Sequence, residues 1–87
     1  MVLVKRLVLD VLKPHTPNSL EFARALAEQG AGYHVKFTVV EVDENTETVV
    51  IVIEADDIQF DAIANTINQL GGSLHSIDEV EVVNSQD

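Results

Sequence analysis

The sequence contains no cysteine. That absence excludes disulfides, thiol nucleophiles, iron–sulfur clusters and the thiolate-based zinc sites together. Basic residues are scarce: five Lys and Arg stand against fifteen Asp and Glu, for a formal charge of −10. A field of that sign repels phosphate backbones and anionic membranes, so neither a nucleic acid nor a membrane is expected as a partner. It suits cations or basic partners. Three lysines among so many acids is also the composition of a salt-adapted protein, with an ordinary acidic protein as the other reading. No stretch is long and apolar enough to span a bilayer. The basic pair Lys5-Arg6 follows the first apolar residues, the reverse of a secretory signal. The expectation is a cytoplasmic, unprocessed chain.

The acid excess carries a prediction. Self-repulsion should destabilise the free fold at low ionic strength, and salt should relieve it. The melting temperature is expected to rise between about 10 mM and about 1 M salt, as the Debye length falls from ~30 Å to ~3 Å. A flat or falling curve in a thermal melt series would remove both the repulsion and the salt-adapted reading.

Residues 1–87 have room for a single domain, small enough to gain from a partner subunit. Val2 to Leu12 reads as a strand, broken by Lys13-Pro14-His15-Thr16-Pro17. Asn18 and Glu21 form a capping-box pattern, and Phe22, Ala23, Leu26 and Ala27 recur at helical spacing. Gly30 is placed at the C′ position. Tyr33 to Asp43 and Thr46 to Ala55 read as a hairpin turning at Glu44-Asn45. Phe60, Ile63, Ile67 and Leu70 form an amphipathic helix, with Gln59 as N-cap, Ile58 as a staple and Gly71-Gly72 as its stop. Leu74 to Val83 is the last strand, and Asn84 to Asp87 a frayed tail. The order β-α-β-β-α-β, with right-handed crossovers, gives an α+β ferredoxin-like two-layer sandwich with antiparallel sheet order 4-1-3-2.

Alternation assigns Leu7, Leu9, Val11, Val35, Phe37, Val39, Val49, Ile51 and Ile53 to the helix-facing side. The opposite face then carries Val4, Val8, Leu12, Val40, Val42, Val50 and Val52, with Arg6 and Glu54 placed to pair across strands. Strand propensity alone accounts for valine there. The other reading is that this face, or the edge strands beside it, is covered by a second subunit.

The chemistry of common domains of this fold is missing. There is no Cys-x-x-Cys metal-chaperone loop, no arginine cradle on the first loop, no basic aromatic sheet for RNA, and no P-loop or serine nucleophile motif. Topology instead gathers polar residues at one pole. Asp10, Asp43, Asn45, Glu47 and His75 are the candidate metal ligands, with His15 and Glu44 beside them. Asp43-x-Asn45-x-Glu47 sets three oxygen-bearing side chains at alternate positions, which suits calcium or magnesium, although it lacks the glycine and distal glutamate of an EF-hand. A solvated acidic hairpin tip is the plainer reading. Asp10, a carboxylate in a central strand, needs a lysine, a histidine or a cation opposite it.

Val8-Leu9-Asp10-Val11-Leu12-Lys13-Pro14-His15 and Gly71-Gly72-Ser73-Leu74-His75-Ser76-Ile77-Asp78-Glu79-Val80 resemble the opening and closing segments of an archaeal family catalogued as domain of unknown function 211. The likeness spans nearly the whole chain. It implies a ferredoxin-like fold and symmetric oligomers, including rings, and brings no known activity. The leading expectation is a homo-oligomeric binding or assembly module with a cation or small ligand at its acidic pole. A small-molecule-sensing regulatory domain, with ligand between subunits, is the alternative. A third is an enzyme using Asp10 and a histidine at a subunit junction.

Overall fold

A computed structural model describes residues 1–86. The elements run β1 (Val2–Pro14), α1 (Ser19–Ala27), β2 (His34–Val42), β3 (Thr46–Glu54), α2 (Phe60–Gln69) and β4 (Ser73–Asn84). The four strands form one antiparallel sheet in the order β2-β3-β1-β4. Both helices pack on one face of it, as expected for a ferredoxin-like fold. Leu7, Leu9, Val11, Val49, Ile51 and Ile53 point from the central strands into the core. Phe22, Leu26, Ile58, Ile63 and Ile67 meet them from the helical layer.

Local chemistry explains the helix ends. The Asn18 side chain accepts the Glu21 backbone N–H at 2.9 Å, which satisfies one free donor of α1. Gln59 caps α2 without a side-chain bond. Its own backbone N–H is instead donated to the Tyr33 hydroxyl at 2.7 Å. At the other end of α2, Gly72 donates to the Ile67 carbonyl (2.9 Å) and Gly71 to the Asn68 carbonyl (3.0 Å). This is a Schellman closure, and Gly71 takes the φ of +86° that it requires. Gly30 differs from its expected role. Its φ is not positive, and α1 already ends at Ala27, with Glu28 as its C-cap. What position 30 requires is space: a Cβ there would lie 2.4 Å from the Tyr33 ring.

Three expectations need correction. The first strand does not break at Lys13 but continues to Pro14, opposite Thr46. Pairing with β4 has already ended at Leu12↔Ser73, so the donor that proline lacks leaves no ladder bond unmade on that side. Next, Val4 and Val42 leave the outer face. β1 carries one extra residue, Lys5, between Val4↔Val82 and Arg6↔Glu81. β2 carries one extra, Val40, between Val39↔Val49 and Glu41↔Thr48. Each bulge reverses the alternation beyond it, so Val4 packs against the core and Val42, opposite Glu47, falls on the helix side. Finally, the tail is not frayed at its start. β4 runs to Asn84, and Ser85 exchanges hydrogen bonds with Met1. Asp87 lies outside the described residues.

The strands outreach the helices. Thirteen residues of β1 extend roughly 43 Å at about 3.3 Å each, whereas nine residues of α1 span about 14 Å. The molecule is accordingly 49 Å long and 17 Å thin. Two short helices cannot cover the whole sheet, and its edges stay bare. Among the described residues, seven of the eleven exposed large apolar side chains lie on the edge strands: Val39, Val40 and Val42 on β2, and Ile77, Val80, Val82 and Val83 on β4.

Candidate functional site

The C-terminal end of β1 carries two polar clusters, one on each face of the sheet. Lys13 continues the inward parity of Leu7, Leu9 and Val11 and is fully buried. A buried ammonium needs partners. Lys13 Nζ donates to the Pro14 carbonyl at 2.8 Å and to Glu47 Oε1 at 3.1 Å. Glu47, directly opposite Lys13 on β3, also meets His15: its Oε2 lies 2.9 Å from Nδ1. The other ring nitrogen of His15 lies 2.9 Å from the Glu44 carbonyl. Both nitrogens therefore face acceptors, and only the imidazolium can donate to both. The hydrogen bond to the Glu47 carboxylate, then that to the Glu44 carbonyl, raises the His15 pKa above its ordinary value. Bonds from His15 and Lys13 lower that of Glu47. The network latches the hairpin tip to the end of β1.

The latch has a defined pH range. Protonated His15 contributes its full stability below its ordinary value of 6.5, and loses it as pH rises through the raised folded value. Ionised Glu47 contributes above its ordinary value of 4.5, and loses it as pH falls through the lowered folded value. Between pH 4.5 and 6.5 both act. The melting temperature is expected to decline above that range in the unmodified protein, and His15→Ala should flatten this alkaline decline while lowering the plateau. An unchanged alkaline limb in His15→Ala would show that the imidazolium is not the group responsible.

On the outer face, Asp10 Oδ2 lies 3.3 Å from His75 Nδ1. The partner required by a carboxylate in a central strand is thus a histidine. His75 arrives there through another bulge. Asp10 pairs with Ser76 and Val11 with Leu74, so His75 is the extra residue of β4 between those pairs. Asp10, Leu12, Thr48 and His75 line a shallow hollow of about 250 Å³. Farther along the same face, Arg6 bridges Glu54 at 2.9 Å and also Glu79, which joins β3, β1 and β4.

The five expected ligands share the pole without forming one cluster. Strand pleating separates Asp10 from Glu47, since Asp10 is opposite Val50 on the outer face whereas Glu47 belongs with the inward Lys13. Asp43 and Asn45 stand exposed at the hairpin tip. Among the described residues, no three His, Asp or Glu side chains converge in a way that could hold a metal ion. Sequence reasoning missed the roles of Lys13 and Glu47 as a buried pair. The signal was available, because 13 continues the series 7, 9, 11.

Layering, topology and helix placement define a ferredoxin-like α+β protein. Within that class, the chain belongs to the family DUF211, described as "Uncharacterized ArCR", whose pattern matches residues 5–85. It is similar to the uncharacterized protein MJ0319 of Methanocaldococcus jannaschii, at 44% identity over 77 residues, covering 88% of this chain and 79% of that protein. Among the described residues no helix is long and apolar enough to cross a membrane.

Proposed function

We propose that the chain is a homo-oligomeric assembly module whose subunits join through the edge strands. The observation that carries this is the placement of exposed apolar side chains. Val40 and Val42 on β2 are 62% and 64% exposed, and Val80 and Val82 on β4 are 57% and 55% exposed. Uncovered apolar edges recruit other strands, and proteins that stay monomeric blunt them with charge (above all lysine), proline, bulges or a covering loop. Both edges here carry bulges and acids (Glu41 on β2; Asp78, Glu79 and Glu81 on β4), yet keep most of their valines exposed. Here Lys36 is the only lysine on either edge strand, and neither edge contains a proline. The two edges are different surfaces at opposite sides of the sheet, so a β2-to-β4 contact is heterologous. A heterologous contact whose rotation closes makes a ring.

Val8, Val50 and Val52 are half-buried within the sheet, which shifts the expected contact from the outer face to its edges. Assembly would bring the acidic poles of neighbours together. Calcium or magnesium would then be shared between subunits, because Glu47 is already committed to Lys13 and His15 and one chain offers too few free oxygens. Light scattering in native buffer tests the proposal. A multiple of the 9.5 kDa chain mass is expected at micromolar concentration. A monomer under those conditions would end it.

A further inference from the structure

We propose that Asp10 and His75 form the protein half of a binding site for a borderline divalent transition ion of the zinc, cobalt and nickel class, opening onto the hollow of the outer sheet face. The separation of the two side chains is the first argument. A charge-assisted N–H···O bond closes to about 2.7–2.9 Å. The His15–Glu47 pair of this same molecule does so, at 2.9 Å. Asp10 Oδ2 and His75 Nδ1 stay 3.3 Å apart. Nitrogen and oxygen ligands bound at about 2.0–2.2 Å to a tetrahedral centre lie roughly 3.3–3.5 Å from each other. The spacing is compatible with one edge of such a site.

The second argument is how His75 is delivered. It is the added residue of a bulge, a device that re-aims a side chain, and it reaches a carboxylate held in the middle of a sheet. The Asp10 side chain is only 28% exposed, so its direction is set by the strands around it. Third, there is space. The hollow of about 250 Å³ beside the pair, with Thr48 on its wall, accommodates an ion and the waters or small ligand that would fill its open positions. Fourth, the donors are selective. One imidazole nitrogen with one carboxylate oxygen favours zinc, cobalt or nickel over calcium or magnesium, which take oxygen. The chain's charge of −10 raises the local concentration of any cation. His15 cannot compete, because both its nitrogens are engaged by acceptors. Both ligands come from one chain, so the site stands whether or not subunits assemble.

Isothermal titration of the unmodified protein with zinc chloride, paralleled by the visible absorption of added cobalt, tests the site. Saturable zinc binding is expected, at least tenfold weaker in His75→Gln and in Asp10→Asn, and unchanged in His15→Gln and His34→Gln. In the unmodified protein, zinc should shift the NMR signals of the His75 ring and leave those of His15 in place, a readout that needs no variant to fold. Absence of binding at hundred-micromolar zinc overturns the proposal. So does undiminished binding in either His75→Gln or Asp10→Asn, or a zinc response confined to the His15 or His34 ring.

Discussion

Val40→Lys on β2 and Val80→Lys on β4 are each expected to convert the assembly to smaller species, whereas an equimolar mixture of the two variants should form a heterodimer. The reasoning follows from the two edges. Each lysine places a charge in an apolar strand contact, the means by which natural edges prevent pairing. In a heterologous ring every junction joins β2 of one subunit to β4 of the next. Either substitution therefore breaks every junction of a pure sample and leaves monomers of 9.5 kDa. A Val40→Lys chain keeps an intact β4 and a Val80→Lys chain keeps an intact β2, so the mixture restores one junction per pair. Light scattering on the two samples and on the mixture reads all three states. If Val40→Lys alone stays dimeric, the contact is isologous through β4, and a ring built on β2-to-β4 contacts is ruled out. Both positions are more than half exposed, so neither lysine should disturb the helix-packed core.

Phe22→Ala should cost about 3–5 kcal/mol, the usual range for deleting a fully buried aromatic ring. Phe22 has no exposed surface, its ring centroid is 5.6 Å from that of Phe37, and its Cζ would lie 3.1 Å from a Cβ at position 72. It thus joins α1, β2 and the close of α2. Urea unfolding at a fixed protein concentration measures the loss, with fixed concentration needed because assembly adds to apparent stability. Leu20→Ala, on the exposed side of the same helix, should change stability by no more than about 0.5 kcal/mol. A loss below about 1.5 kcal/mol for Phe22→Ala would mean that the core is less tightly closed than its packing implies.

Element types were legible in the chain because each relies on local chemistry. The cap Asn18, the apolar stripe Ile63 and Ile67, and the terminating pair Gly71-Gly72 act within a few residues of themselves and do in the fold what their spacing implies, although the Glu21 carboxylate meets the Asn18 side chain (3.4 Å) rather than closing the capping box on its backbone N–H. Alternation in β1 and β3 located the core-facing residues for the same reason. Gly30 escaped because its constraint is a tyrosine ring three residues away rather than a backbone angle. Pro14 misled because a proline stops a strand only where a partner needs its donor, and that depends on where β4 begins.

The chain alone determined the element order, the two-layer architecture and the gathering of polar residues at one pole. These follow from periodicity and from the right-handedness of crossovers. Tertiary structure decided which of those polar residues meet. One pleat separates Asp10 from Glu47 by placing them on opposite faces, one unpaired residue in β4 swings His75 over Asp10, and one residue of inward parity buries Lys13 against Glu47. Bulges at Lys5, Val40 and His75 likewise decide which way Val4, Val42 and His75 point. A bulge is a mismatch between two strands distant in sequence, so no periodicity within a single strand encodes it.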